Sequence, residues 1–84
     1  MSTDLTTTVL LFGWVREYIG VPEIIIPSMH GKTVKQLKEY VTIQFQLGDR
    51  LKDCMIAVNH TYASNEMVIS THDEIALIPP VSGG

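Results

Sequence analysis

A chain of 84 residues is long enough for one compact domain and too short for two, because at this length only about 60 to 65% of the unfolded surface is buried. Hydrophobic residues make up 45% and charged residues 18%, which excludes a disordered polar chain. Net charge is −3, with 6 basic residues scattered among 9 acidic ones; this argues against a nucleic-acid partner, and no apolar run reaches the roughly 18 residues of a membrane span.

The single cysteine, Cys54, has no partner for an internal disulfide, and Met1 to Asp4 lacks the basic start and apolar stretch of a secretory signal. A reducing, cytoplasmic location is expected. Residues 1 to 5 are polar and expected to fray. Thr6 to Phe12 then reads as a strand, with Val9-Leu10-Leu11-Phe12 apolar enough to suggest burial on both faces and a central place beside parallel neighbours. Gly13 ends it. Trp14 to Ile19 predicts a short helix closed by Gly20, and after Pro22 the trio Ile24-Ile25-Ile26 predicts a second strand over Glu23 to Pro27.

Ser28 to Lys32 reads as a loop leading to the main helix, where Thr33 as N-cap and Gln36 three residues later form a capping-box pattern. Val34, Leu37, Val41 and Phe45 (or Gln44) approximate the helical period, while Lys35, Lys38 and Glu39 fall off that stripe. Gly48-Asp49 breaks the pattern. Met55 to Asn59 predicts a third strand turning near Asn59-His60 into Thr61-Tyr62-Ala63, which together make a hairpin. Glu66 to Ser70 reads as a short edge element, Thr71-His72-Asp73 as a turn, and Glu74 to Ile78 as the last strand, stopped by Pro79-Pro80.

The fold class is therefore α+β, a single domain over residues 1–84 with a small mixed sheet packed against one long helix. The first and last strands, being the most apolar, are expected side by side in its centre. The ubiquitin-like β-grasp has this arrangement.

The chemically distinctive segment is the tail over residues 79–84, Pro79-Pro80-Val81-Ser82-Gly83-Gly84. Two prolines are expected to project it from the sheet, and two glycines finish it with no side chains. Ser82 has no neighbouring base, so the reactive group is the Gly84 carboxylate, inert until activated. A tip without Cβ atoms suits insertion into a narrow channel. Ordering such a segment costs roughly 1 to 2 kcal/mol per residue, so it should be flexible when free and ordered only inside a partner.

Three segments carry a family resemblance: Val9-Leu10-Leu11-Phe12-Gly13-Trp14-Val15-Arg16-Glu17 with Gly20, the strand Ala57-Val58-Asn59, and Asp73 through Gly84. Together they resemble the MoaD family, the small sulfur-carrier subunits of molybdopterin synthase within the MoaD/ThiS ubiquitin-like superfamily. The resemblance implies that an E1-like activating enzyme uses ATP to adenylate Gly84, with Gly83 beside it, and that a sulfur donor then makes the thiocarboxylate. It further implies insertion of the tail into the large synthase subunit, within a heterotetramer, where sulfur passes to cyclic pyranopterin monophosphate.

No metal or cofactor is then expected on this chain. The resemblance places partner contacts at Phe12, Tyr62, Ile78, Pro79, Pro80, Val81 and Ser82, although periodicity alone leaves Phe12 and Ile78 equally readable as core. Gly13-Trp14 departs from the Ala-Gln more familiar at these positions, and the N-terminus runs several residues longer; both bear on partner fit.

His30, His60 and His72 lie in predicted loops without metal-ligand spacing and read as surface residues. Cys54 reads as structural, since only Lys52 could lower its pKa and Asp53 opposes that. Trp14 is open between a core lid and a docking anchor. The competing functions are a sulfur carrier for thiamin or tRNA thiolation and a ubiquitin-like interaction domain whose terminus is never activated.

Overall fold

The computed structural model describes residues 6–80. The elements run β1 (Thr6–Leu11), α1 (Gly13–Ile19), β2 (Glu23–Pro27), α2 (Val34–Gln44), β3 (Met55–Val58), β4 (Thr61–Tyr62) and β5 (Ile75–Ile78). They form one sheet in the order β2-β1-β5-β3-β4. The β1–β5 pair is parallel and every other pair is antiparallel. The first and last strands are thus neighbours, as their apolar content predicts. The frayed N-terminus expected before Thr6 lies outside the described residues.

α2 buries Val34, Leu37 and Val41, and these join Val9, Leu11, Ile75 and Leu77 in the hydrophobic core. Phe45 packs against that core as the C-cap residue, just past the last helical turn. Gly48 does not stop the helix. Gln46 already turns left-handed at φ 57°, so the chain leaves the helix two residues earlier than the glycine suggests.

At the other end of α2 the capping box is present in full. The Gln36 backbone N–H donates to Thr33 Oγ1 at 3.2 Å, and the Thr33 N–H donates to Gln36 Oε1 at 2.9 Å. Two otherwise orphaned donors are satisfied reciprocally. Thr33→Ala is expected to lower stability by about 1 kcal/mol, lowering Tm by roughly 4 to 8 °C; a thermal melt with no shift would show the box to be idle.

Two sequence expectations are corrected. Burial of β1 on both faces does not occur: Val9 and Leu11 are buried, Leu10 is half-buried and Phe12 is exposed. Among the described residues the helices leave the other face of the sheet uncovered, so the strand alternates despite its continuous apolar run. Glu66 to Ser70 joins no strand of the sheet; an isolated bridge from Val68 to Thr33 and backbone hydrogen bonds at Met67 and Ile69 tie it instead to the chain entering α2. The short helix expected over Trp14 to Ile19 is present as α1, of 7 residues, beside the longer α2, of 11.

The β3–β4 hairpin forms as predicted, with Asn59 and His60 both at positive φ, 54° and 71°. Two successive left-handed residues give the turn whose twist suits antiparallel strands. Asn59 then ties the hairpin to the start of β5. Its Nδ2 donates to Asp73 Oδ1 at 2.9 Å, and its Oδ1 accepts the Glu74 N–H at 2.9 Å.

Candidate docking face and tail root

Register determines which side chains share the uncovered face. Leu10 pairs with Ala76, Ala76 with Ala57 and Ala57 with Tyr62, forming one row across four strands. Directly opposed residues point to the same side of a sheet. Ile78 pairs with Met55 in the next row, and Phe12 follows Leu10 by two residues. The outcome is an apolar face made from β1, β5, β3 and β4.

Within this face lies a hollow of about 290 Å³ lined by Leu10, Phe12, Ala57, His60, Glu74, Ala76 and Ile78. It is concave because the alanines at 57 and 76 are short while Phe12 and Ile78 stand taller at one end. His60 and Glu74 close the other end, with Nε2 and Oε1 3.3 Å apart. Phe12 and Tyr62 expose 43% and 62% of their surface. That exposure decides the ambiguity left by periodicity: Phe12 is a surface residue. Ile78 is half-buried between strand and hollow. The structure therefore brings Phe12 and Ile78 into one depression and sets Tyr62 beside it on the same face.

Sequence reasoning missed Leu10, Met55, Ala57 and Ala76. Their signal was the two-residue spacing from Phe12, Ile78 and one another along each strand. Using it required knowing which face the helices leave open.

Tail geometry begins differently from the expectation. Pro79 is buried rather than projecting, and Pro80 is the first exposed residue after β5. The cause is Gly13, which sits at φ +59°, where a built Cβ would come within 2.9 Å of Pro79 Cγ. Only a residue without a side chain lets the proline ring settle there in this arrangement. Pro79 thus anchors the tail root against the start of α1, at the end of the sheet where Phe12 and Ile78 lie. Val81, Ser82, Gly83 and Gly84 lie outside the described residues.

Trp14, 37% exposed, stacks edge-on with Tyr18 at 6.3 Å between ring centroids. The Arg50 guanidinium lies 4.9 Å from the Tyr18 ring centroid, a cation–π geometry. Trp14 is thus a surface aromatic, not a core lid. His30, His60 and His72 are also on the surface; Thr71 Oγ1 lies 3.0 Å from His30 Nδ1. Cys54 is buried, and burial pushes its thiol pKa up, with Lys38 opposing and Asp53 reinforcing the shift. A raised pKa means little thiolate at neutral pH and a poor nucleophile.

Residues 9–84 match the model of the ThiS family. The chain belongs to that family. This agrees with the MoaD resemblance, since both names fall within one ubiquitin-like superfamily. The chain is 32% identical to the molybdopterin synthase sulfur carrier subunit of Arabidopsis thaliana, over 99% of this chain and 88% of that protein. Its fold matches the crystal structure of SAMP1 from Haloferax volcanii with a TM-score of 0.80 at 23% identity, covering 94% of this chain and 99% of that one. It also matches a chain in the complex of subunits 1 and 2 of the molybdopterin-converting factor from Helicobacter pylori. There the TM-score is 0.66 at 28% identity, covering 94% of this chain and 99% of that one. These likenesses bear out the β-grasp expectation. In addition, no helix among the described residues is long and apolar enough to cross a membrane.

Proposed function

We propose that this chain is the sulfur carrier subunit of a cytoplasmic molybdopterin synthase, with sulfur carried as a thiocarboxylate on Gly84. The observation that supports this most directly is spatial: the apolar face and the root of the tail meet at Phe12, Ile78 and Pro79. A partner seated on that face is positioned to receive whatever follows Pro80. The Helicobacter pylori relative is seen in a complex of subunits 1 and 2 of the molybdopterin-converting factor, which supports a large-subunit partner.

The chemistry assigned to the tail needs three steps. An E1-like enzyme uses ATP to convert the Gly84 carboxylate to an acyl adenylate, releasing pyrophosphate. A donor supplying sulfur at the sulfide level displaces AMP and leaves a thiocarboxylate. In the large subunit, the thiocarboxylate sulfur forms a C–S bond to a side-chain carbon of cyclic pyranopterin monophosphate as the oxygen on that carbon leaves. Water then cleaves the acyl C–S bond of the thioester so formed, freeing the Gly84 carboxylate and leaving the thiol on the pterin. The carrier supplies the nucleophilic sulfur and the docking face, and the large subunit supplies the pterin pocket and the acid–base groups. ATP belongs to the activating enzyme, and this chain holds no cofactor of its own.

The test is the intact mass of the chain after incubation with an activating enzyme, ATP and a sulfur donor. Exchange of one oxygen for sulfur, localised to Gly84, is the expected result. An unmodified mass under conditions that load a known carrier would leave the chain an interaction domain.

A further inference from the structure

A second surface, on the helix side of the sheet, stands apart from the carrier chemistry. α2 and the segment after it enclose a groove of about 340 Å³, whose lining includes Lys35, Lys38, Ile43, Gly48, Leu51 and Lys52. α2 packs its Val34, Leu37 and Val41 into the core, so this groove and the docking face lie on opposite sides of the sheet. A partner here leaves Phe12, Ile78 and the tail root free.

Two features of the groove belong together. Ile43 is 76% exposed, the highest value among the exposed large hydrophobic residues described. A single exposed isoleucine needs no explanation, but this one shares its groove with three of the chain's four lysines, in a chain of net charge −3. Lysine stems are apolar up to the ammonium, so the groove combines aliphatic surface with three ammonium groups that outnumber its two carboxylates. Lys38 already donates to the Cys54 carbonyl at 2.9 Å, which fixes one ammonium in place. Glu39 and Asp49 also line the groove and oppose a continuous phosphate backbone, whose charges could not avoid them.

We propose that this groove is a docking site for an acidic protein segment carrying one branched aliphatic side chain flanked by carboxylates. The aliphatic group packs on Ile43 over Gly48 and Leu51, and the carboxylates meet Lys35 and Lys52. Charge complementarity selects the partner, since the rest of the chain's surface carries the acidic excess and would repel it. The proposal does not depend on Gly84 or on the synthase reading.

The test is titration of the ¹⁵N-labelled full chain with the synthetic peptide acetyl-Glu-Asp-Ile-Glu-Asp-amide, alongside its Gln-Asn-Ile-Gln-Asn and Glu-Asp-Gly-Glu-Asp counterparts. Amide shifts confined to Lys35, Ile43, Gly48 and Lys52, with both control peptides about tenfold weaker, are the expected result. The exposed substitutions Lys35→Glu and Ile43→Ser should each weaken the peptide by a similar factor, with sulfur loading at Gly84 unchanged. Equal binding of the glycine peptide would reduce the site to non-specific charge attraction and overturn the proposal. So would shifts centred on Phe12 and Ile78, binding only to phosphatidylserine vesicles, or no shift at millimolar peptide.

Discussion

A chain extended by one alanine after Gly84 is expected to fold with an unchanged Tm and to lose sulfur loading and transfer by at least about 100-fold. Extension converts the Gly84 carboxylate into an amide, which cannot be adenylated. The new carboxylate sits one residue further on, roughly 3.3 to 3.6 Å beyond the original position in an extended chain, and bears a Cβ where the tip had none. Misplacement of a reacting group by about 1 Å already costs on the order of 100-fold. Among the described residues the last core member is Leu77, seven residues before Gly84, so stability should not register the change. Thiocarboxylate formation is read by mass and transfer by product formation with the large subunit. Full activity of the extended chain would refute the assignment of chemistry to Gly84.

The second prediction concerns Phe12, which occupies the N-cap position of α1 at φ −134° and ψ 162° with no side-chain cap hydrogen bond. Phenylalanine is a poor residue there, and aspartate is among the best. Phe12→Asp should therefore leave stability unchanged or raise it by about 0.5 to 1 kcal/mol. Yet it places a carboxylate beside the hollow formed with Ala57, Ala76 and Ile78. If that face meets the large subunit, an unpaired charge in a desolvated contact should weaken the complex by roughly 100-fold, a loss of the size that marks a binding hot spot. Opposite signs for stability and affinity are the signature of a docking residue. Destabilisation with unchanged affinity would instead make Phe12 structural. Calorimetric titration of the large subunit, paired with a thermal melt, separates the two.

The presence of phenylalanine at an uncapped helix start is informative in itself. α1 begins directly after β1, so the cap position and the rim of the apolar face coincide in one residue. Local helix chemistry favours a short polar side chain, while the face favours a large apolar one. Gly13 shows a related conflict. Its φ of +59° and the close approach of Pro79 trade helix propensity for a fixed tail root.

Much of this protein was written locally. The α2 capping box, the Val34-Leu37-Val41 stripe and the Asn59-His60 hairpin turn follow from side-chain chemistry within a few residues, and each appears where the residues predict it. The same holds for the β1–β5 pairing, because the most apolar strands exclude water best at the centre of a sheet. The tail was legible for a different reason: its resemblance to sulfur carriers is carried by the order of its residues, Pro79 to Gly84, and needs no fold to be seen.

What local chemistry could not express is the side from which the core is covered. Val9-Leu10-Leu11-Phe12 is apolar throughout, and no pattern within it distinguishes a doubly buried strand from one whose second face docks a partner. Only the packing of α2 on one side divides Val9 and Leu11 from Leu10 and Phe12, and only strand register then gathers Ala57, Ala76, Ile78 and Tyr62 beside them. Pro79 depended on the same long-range geometry. Its burial is decided by Gly13, 66 residues earlier in the sequence and brought near through the parallel pairing of β1 with β5. Hydrogen-bonded turns and helix caps are short-range, whereas the open face of a sheet is set by elements far apart in the chain.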